Sequence, residues 1–514
     1  MTRENQANQP NGQSQAAGER KLIEDRLAKT VEIRSRGLDP YPPRFNRTHT
    51  SVEAVALFQS LEEGGTESDH SDSHSVRVAG RVMARRGQGK ASFIDVRDGH
   101  GSIQIFARQN TMGDESYAIL DLLDIGDIIG IEGVVIRTRR GEISVEAKTI
   151  TLLTKAIRPL PDKWHGLQDQ EVRFRQRYLD LISNEKAMQN ALLRTKIVRS
   201  MRDFMHARGF IEVETPILVP VAGGAQATPF ATHHNQLNRD LYLRIATELY
   251  LKKLIVGGIE RVFEIGRLFR NEGLDHDHNP EFTTIESYQA YADYNDVMCM
   301  VEEMIAQIAQ DTTGSMILPA ISEKRPEINL TPPWPRLDLR SEIMKRTGID
   351  FVETRDIESL SKAMQECGIH VEPGSDWGRL LDKVISSEVE PNLIQPHFLI
   401  DYPVEMSPLA KRKPGSSDIV ERFEAFVMGT ELANAFTELN DPVDQRERFE
   451  QQERLREEFD NDEADRLDED FLIAIEHGMP PTGGLGLGID RLTMLVAGEE
   501  SIREILLFPA MRNI

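Results

Sequence analysis

One stretch of the chain, residues 264–291, alternates apolar and polar side chains on both sides of a short polar segment. In EIGRLFRNE (264–272), Arg270 and Glu272 stand two apart, so both project to one face of an extended strand. The alternation resumes in FTTIESYQAY (282–291), after a turn through Gly273 to Pro280. The pattern predicts an antiparallel hairpin whose second strand presents four side chains on one face: Phe282, Thr284, Glu286 and Tyr288.

A second segment, GLGLGIDR (484–491), has glycine at every second position and ends in Arg491. Glycine lets the backbone approach a ligand closely, and a guanidinium can bind phosphate through two parallel hydrogen bonds. The G-x-G-x-x-G spacing of dinucleotide-binding folds is not met, and no βαβ unit follows. Arg270 and Arg491 together indicate a nucleotide site built from two distant segments.

The composition is that of a large globular protein. The chain has 514 residues, 39% hydrophobic and 28% charged, and a length of roughly 150 residues per domain predicts about three units. Two isolated cysteines, Cys299 and Cys367, argue against a disulfide framework or a thiolate zinc site and favour a reducing compartment. We find no long apolar run and no signal-peptide pattern, so we expect a cytoplasmic protein without a membrane segment.

The net charge of −23 is unevenly distributed. Residues 450–470 carry eleven acidic side chains against three arginines, a composition typical of a solvated helix surface. Residues 77–148 carry eleven basic against ten acidic side chains. Because phosphate contacts require only local positive charge, a nucleic acid can dock on the N-terminal part of the chain.

The two segments resemble the second and third signature motifs of class II aminoacyl-tRNA synthetases, and the similarity is greatest to the bacterial lysyl-specific type of class IIb. It spans nearly the whole chain. It implies activation of L-lysine with ATP and Mg²⁺ to lysyl-adenylate and pyrophosphate, followed by transfer of lysine to the 3′ end of tRNA(Lys). Further stretches that carry the resemblance are LIEDRLAKTVEIRSRGLDPYP (22–42), RPLPDKWHGLQDQEVRFRQRYLDL (158–181), GFIEVETPIL (209–218), LYLRIATELYLKKLIVGG (241–258) and ILLFPAM (505–511).

The fold class expected is α+β, with an N-terminal OB-fold β-barrel followed by a class II catalytic domain of antiparallel sheet flanked by helices. Short alternating runs with one helix at 115–123 suit a five-stranded barrel, although a purely structural barrel would give the same count. We expect a disordered tail over 1–20, a helical segment and loop over 21–75, the barrel over 76–154, a linker over 155–180, and the catalytic domain over 181–514 with an insertion at about 310–400.

Activation of a carboxylate by ATP needs positioned positive charge and metal ions rather than a nucleophilic side chain. By resemblance, Arg270 holds the α-phosphate and the substrate carboxylate together, while Arg491 covers adenine or reaches the γ-phosphate. Glu424 and Glu431 correspond to magnesium-binding positions, whereas the residues alone would be typical of a core strand with two surface acids. The complete set implied for ATP is Arg270, Glu272, His278, Asn279, Phe282, Glu424 and Arg491, with Phe282 stacked on adenine.

A cavity lined by several carboxylates needs a cation, because the carboxylates otherwise repel each other. By resemblance, Glu248, Glu438 and Tyr288 hold the side-chain ammonium of lysine, while Gly224 and Glu286 receive its α-amino group. Unpaired buried acids would then penalise uncharged analogues. The related aspartyl and asparaginyl enzymes need a cation in the pocket instead. The complete set implied for lysine is Gly224, Glu248, Arg270, Glu286, Tyr288, Asn434, Phe436 and Glu438.

Four barrel residues match positions that read the lysine anticodon in the family: Arg86, Phe93, Gln104 and Glu142. Single-stranded bases are read by stacking on aromatic rings and by hydrogen bonds to their edges. Taken alone, Phe93 is more typical of a barrel core. The resemblance also implies a homodimer with Pro216 at its interface.

Three positions depart from the family pattern. Thr228 stands where arginine is common, and Asp277 where a basic or neutral residue is frequent. Ala435 replaces a usual glycine, and its methyl group could narrow the lysine cavity. These departures keep open a catalytically impaired tRNA-binding or regulatory protein, although the arginines and acids of the site are present. A ligase that lysylates a protein is a third hypothesis, but such relatives typically lack the barrel.

Overall fold

The computed structural model describes residues 12–63, 74–87, 89–161, 167, 169–225, 227–459 and 467–512. The chain divides into two compact units, residues 1–166 and 167–514. Across the described residues, no helix combines the length and apolar character needed to cross a membrane.

The N-terminal unit contains a closed five-stranded barrel with strand order β1-β2-β3-β5-β4, the Greek-key arrangement of an OB-fold. The alternation seen in the sequence sends Val78, Ile94, Ile105, Ile131 and Val145 into the barrel core. The strands are β1 (Ser75–Arg86), β2 (Ala91–Arg97), β3 (Ser102–Arg108), β4 (Ile128–Arg137) and β5 (Ile143–Thr154). The helices are α1 (Gly12–Ser35), α2 (Ser51–Glu63), α3 (Gln109–Met112) and α4 (Asp114–Tyr117).

Two local predictions for this unit were wrong. The disordered tail expected over 1–20 is helical from Gly12, and residues 1–11 lie outside the described part. The single helix expected over 115–123 is divided into α4 and a 3-10 turn at Ala118–Leu122, because the chain must bury Ile119, Leu120 and Leu122 over a short distance.

The C-terminal unit is built around an eight-stranded sheet of order β14-β15-β16-β17-β18-β11-β10-β6. Its neighbours are antiparallel except for the outer pairs β14 with β15 and β6 with β10. The sheet strands are β6 (Ile211–Glu212), β10 (Arg261–Phe269), β11 (Glu281–Ala290), β14 (Arg336–Asp338), β15 (His397–Ile400), β16 (Arg422–Val427), β17 (Thr430–Thr437) and β18 (Thr482–Gly488). Smaller sheets hold β7 (Leu218–Val219), β8 (Ala231–His234), β9 (Arg239–Leu243), β12 (Ile317–Leu318) and β13 (Ile328–Asn329).

Helices cover one face of this sheet. The apolar side of α9, with Met304 and Ile305, packs with Leu485 and Leu487 of β18 in the main core. A capping box at Asp293 starts α9, and Gly314 in a left-handed conformation ends it. The helices of the unit are α5 (Gln170–Arg175), α6 (Arg177–Ser183), α7 (Glu185–Ala207), α8 (Glu248–Val256), α9 (Tyr294–Thr313), α10 (Leu339–Thr347), α11 (Ile357–Glu366), α12 (Trp377–Val384), α13 (Pro442–Phe459), α14 (Glu469–Glu476), α15 (Ile489–Ala497) and α16 (Ile502–Ile505).

The strand predicted over 264–272 is shorter than expected. β10 ends at Phe269, and Arg270 and Glu272 lie in the following loop, although the Arg270 amide still donates to the Pro280 carbonyl at 2.9 Å. The linker expected over 155–180 already contains α5 and most of α6. The segment expected to be an insertion supplies β14 and β15 to the edge of the main sheet. The acidic run begins on α13 and ends on α14, and residues 460–466 between these helices lie outside the described part.

Candidate active site

A cavity of about 440 Å³ lies on the face of the large sheet opposite α9. Its floor is formed by β10, β11, β17 and β18, and α8 closes one side. The hairpin alternation predicted from the sequence brings four side chains of β11 to its wall: Phe282, Thr284, Glu286 and Tyr288.

The alternating glycines of β18 create the space for this cavity. Gly484 pairs with Tyr288 of β11, and Gly486 pairs with Glu286. Both glycines line the cavity, while the alternating Leu485 and Leu487 pack their side chains into the main core on the opposite face and are 1% exposed. Because side chains alternate across a strand, the glycine repeat leaves one face of β18 bare.

Arg270 enters the cavity from the loop after β10, with its Cζ 5.1 Å from the centre of the Phe282 ring. Its Nε is buried and has no hydrogen-bond partner within the described residues. Burial lowers the pKa of Arg270, which nearby Glu272 and Glu431 partly offset. A buried guanidinium without a partner is costly, and an anionic ligand would relieve that cost.

Arg491, by contrast, is already held in place. Its Nη1 donates to Glu431 Oε2 at 3.1 Å and to the Glu431 carbonyl at 3.0 Å, and its Nη2 lies 3.4 Å from His278 Nε2. His278 Nδ1 in turn lies 2.8 Å from Asp275 Oδ2. The second arginine therefore faces the cavity in a fixed orientation.

A group of carboxylates stands beside Arg491. Glu424 on β16 accepts from Arg422 Nη2 at 2.5 Å and from the Tyr402 hydroxyl at 2.8 Å, and Glu431 on β17 lies nearby. Burial raises the pKa of Glu424 to about 7, opposed by Arg422 and reinforced by Glu431. Burial and repulsion by Glu424 also raise the pKa of Glu390 to about 7. This crowding of negative charge favours a cation.

The opposite end of the cavity is acidic and aromatic. Glu248 begins α8, and Glu286 accepts from the Thr247 amide at 3.1 Å. Burial raises the pKa of Glu286 to about 7 and that of Tyr288 well above its usual value. Asn434 and Phe436 of β17 also line this end. Glu438 follows β17 and is 1% exposed, so it lies behind the wall rather than on it.

The structure therefore gathers in one cavity the residues that the sequence singled out for ATP, metal and lysine, with Glu438 directly behind Gly484. Sequence reasoning missed Arg422, Tyr402 and Lys252, which pair with these acids. Lys252 is missed because an i,i+4 pair with Glu248 is typical of a helix surface, and only the tertiary fold buries it.

The three departures have different positions. Asp277 lines the cavity. Thr228 is not on its wall, and its carbonyl accepts from the Asn271 amide at 2.8 Å. Ala435 is fully buried with the core cluster on the other face of β17, so the expectation that its methyl group narrows the lysine cavity is wrong.

The barrel carries the four residues predicted to read bases. Phe93 is half-buried on the outer face of β2, stacked on Phe106 at 4.6 Å between ring centres, so the alternative that it belongs to the barrel core is wrong. Gln104 donates to Glu142 Oε2 at 2.9 Å and accepts from Ser144. Arg86 donates to Asp95 at 3.0 Å. The sequence did not predict a role for Phe106 of β3, which pairs with Phe93 of β2.

Comparison with known protein families agrees with both units. A family profile described as tRNA synthetases class II (D, K and N) matches residues 169–512, and one described as OB-fold nucleic acid binding domain matches residues 76–153. The chain belongs to the class II tRNA synthetase family, whose signature segments form the cavity. This confirms the fold class expected from the sequence.

Full-length relatives specify the branch of the family. A lysine--tRNA ligase of Dehalococcoides mccartyi is 52% identical over 492 residues, which cover 96% of this chain and 97% of the relative. Lysine--tRNA ligases of Moorella thermoacetica and Staphylococcus epidermidis are each 50% identical, covering 96% and 95% of this chain and 98% of each relative. Within the class, the chain falls among the lysine--tRNA ligases.

Proposed function

We propose that this protein activates L-lysine with ATP to lysyl-adenylate and pyrophosphate and then transfers lysine to the 3′ end of tRNA(Lys). The observation that carries the proposal is one cavity with Arg270 at one end, whose buried Nε has no hydrogen-bond partner among the described residues, and acidic side chains at the other. Such a cavity suits a ligand with a carboxylate or phosphate at one end and ammonium groups at the other.

The arginines supply the positive charge that adenylation needs. Arg270 would bind the α-phosphate and the lysine carboxylate, since its planar fork can bridge two oxygens. Adenine would stack on Phe282, whose ring already faces the Arg270 guanidinium. Arg491 would contact adenine or the γ-phosphate, and Glu272, His278 and Asn279 complete the nucleotide wall.

The donor set fits Mg²⁺. Glu424 and Glu431 offer hard oxygen ligands, and the described residues contain no group of three or more His, Cys, Asp or Glu that could hold a metal by itself. A cation there would rely on ATP phosphates for further ligands and would stabilise the charge that develops on them. Arg422 and Tyr402 orient Glu424 for this role.

The acidic end would select lysine. Glu248, Glu438 and Tyr288 would hold the ε-ammonium, and Glu286 would receive the α-ammonium together with the backbone at Gly224. Phe436 and Asn434 line the same end, where an aliphatic stem would pass. An uncharged analogue would leave buried carboxylates unpaired, which discriminates strongly.

ATP–pyrophosphate exchange without tRNA tests this function. Lysine should support exchange, while aspartate and asparagine should not, because the acidic end would repel a side-chain carboxylate and a side-chain amide would leave its carboxylates without a counter-charge. Absence of exchange with all three would favour the impaired, tRNA-binding alternative. Exchange with aspartate instead of lysine would contradict the substrate assignment.

Lysine binding is expected to weaken as the pH falls below about 7. Burial raises the pKa of Glu286 to about 7, so the free pocket retains this proton up to about that pH and the α-ammonium must displace it. Glu248 and Tyr288 face Glu286 in the cavity, while Glu438 and Lys252 lie behind the wall. Below pH 7, the dissociation constant should rise by about tenfold per pH unit, with proton release on binding. Calorimetry of lysine binding without ATP, in two buffers of different ionisation enthalpy, measures both the dissociation constant and the number of protons released. A dissociation constant for lysine that does not change between about pH 5.5 and 8 would contradict the prediction.

The outer face of the barrel would read the anticodon. Phe93 and Phe106 offer a stacking surface, and Gln104, Glu142 and Arg86 place polar groups beside it.

The chain would act as a cytoplasmic homodimer, with Pro216 at the interface. The exposed apolar side chains of Ile211, Ile217 and Leu218, which lie close to Pro216 in the sequence, support this interface.

Phe93→Ala is expected to lower kcat/KM for tRNA by roughly 10- to 100-fold, because one base stack contributes about 1–3 kcal/mol. Lysine-dependent pyrophosphate exchange should be unaffected, because that reaction does not involve the barrel. Tyr41→Ala is the matched control, since Tyr41 is an exposed aromatic residue of the same unit outside the strand face. Equal effects of the two substitutions on aminoacylation would contradict the assignment.

A further inference from the structure

A buried lysine lies among the acids of the pocket. Lys252 of α8 has no exposed surface, and its Nζ is 2.5 Å from Glu248 Oε1 and paired with Glu438 Oε2. It is not on the cavity wall, so it lies behind the wall. Three ring centres lie 5.3–5.9 Å from its ammonium, those of Tyr288, Phe436 and Phe471.

The two oxygens of Glu438 have different surroundings. Oε2 faces Lys252. Both oxygens are buried without a hydrogen-bond partner among the described residues, and Oε1 lies so close to Gly484 that a Cβ there would overlap it. Because Gly484 lines the cavity, the pair with Lys252 leaves Oε1 directed at the cavity side.

The charges of the pocket do not balance. When ionised, the carboxylates of Glu248, Glu286 and Glu438 share a single ammonium, that of Lys252, which leaves two negative charges. Burial raises the pKa of all three acids. Arg270 also acts on Glu286 from the same cavity, but the proposed function pairs its guanidinium with the substrate carboxylate and the α-phosphate. The adjacent acids are paired elsewhere, Glu264 with Arg244 at 2.5 Å and Glu424 with Arg422 at 2.5 Å. Two positive charges are therefore required, and lysine carries two ammonium groups.

We propose that Lys252 is a built-in counter-ion that positions Glu438 and sets at two the number of ammonium groups the pocket accepts. This inference rests on the proposed function. Burial lowers the pKa of Lys252, but its ion pairs with Glu248 and Glu438 outweigh burial, so the ammonium stays charged. Removing that charge would leave the two acids facing each other and raise their pKa values, because like charges disfavour ionisation.

The test is lysine-dependent pyrophosphate exchange by the full chain and by Lys252→Met, between about pH 6 and 8.5. We expect the acid limb of kcat/KM for lysine to move up by about one pH unit in the variant, from about pH 7, which gives roughly a fivefold loss at pH 7 that is largely recovered at pH 8.5. The KM for lysine should carry the change. A structural role would lower thermal stability and leave the pH profile in place.

The double variant Lys252→Met/Glu248→Gln removes one cation and one anion together and restores the net charge of the pocket. Replacing both partners costs less than removing one, so it also carries the test if the single variant does not fold. We expect the acid limb of kcat/KM for lysine in the double variant to lie at the wild-type pH, whatever the value of its KM for lysine. An unmoved limb in the single variant, or a displaced limb in the double variant, overturns the inference. Absence of exchange by the wild-type chain instead overturns the proposed function.

Discussion

Gly484→Ala is expected to lower kcat/KM for lysine by about a hundredfold while the protein remains folded. A Cβ on this residue would lie 2.6 Å from Tyr288 Cε1 and would overlap Glu438 Oε1. Tyr288 and Glu438 are 3% and 1% exposed, so neither can move without disturbing its neighbours. Overpacking of this kind costs about 1–3 kcal/mol, and here the strain falls on two groups proposed to bind the ammonium.

Gly488→Ala is the matched control for lysine binding. Its Cβ would lie 3.7 Å from Arg491 Cδ, an ordinary contact, and it is on the same strand face as Gly484. Calorimetry with lysine alone should show weakened binding for Gly484→Ala and near wild-type affinity for Gly488→Ala. Circular dichroism verifies folding of both variants. Equal lysine affinity of the two would show that the glycine at 484 is not required by the pocket.

The strand alternation explains how much of the catalytic face was predictable. A residue two positions along a strand returns to the same face, so the residues at 282, 284, 286 and 288 could be assigned to one wall from sequence alone, and the structure agrees. The same rule applied to β17 would have placed Ala435 opposite Asn434 and Phe436, away from the cavity. The expectation for Ala435 was wrong because it did not consider on which face of the strand residue 435 lies.

Groups that act through distant partners were not predictable. In the sequence, Lys252 is typical of one half of a surface ion pair on α8. Only the tertiary fold pairs it with Glu438, which follows β17 nearly two hundred residues later. The hydroxyl of Tyr402 likewise reaches Glu424 only through the pairing of β15 with β16. Helix ends were uncertain for another reason: propensity does not show where an N-terminal helix begins, and α1 starts within the expected disordered tail.

Arg270→Met is expected to lower pyrophosphate exchange by at least about 10²- to 10³-fold, the usual loss when one donor to a developing negative charge is removed. The same substitution should raise the thermal midpoint of the ligand-free protein. The buried Nε of Arg270 has no hydrogen-bond partner among the described residues, and burial lowers the pKa of the group more than Glu272 and Glu431 raise it. The free protein therefore bears a net cost of about 1–3 kcal/mol that an apolar side chain avoids.

Arg244→Met is the control that separates these effects. Arg244 is buried at 4% exposure, whereas Arg270 is half-buried. Arg244 is paired, donating to Glu264 at 2.5 Å and to the Arg267 carbonyl at 2.9 Å. Breaking such a pair leaves the buried Glu264 carboxylate without its cation, with the Thr215 amide and hydroxyl as its remaining donors, and should lower the midpoint, since the cost is about 3–5 kcal/mol. Thermal denaturation of both variants with and without ATP and lysine gives the comparison. If Arg270→Met also lowered the thermal midpoint, Arg270 would be a structural residue whose charge is stabilised by the folded protein alone. If the substitution raised the midpoint and abolished the stabilisation by ATP and lysine, the Arg270 charge would serve to bind the reacting anions.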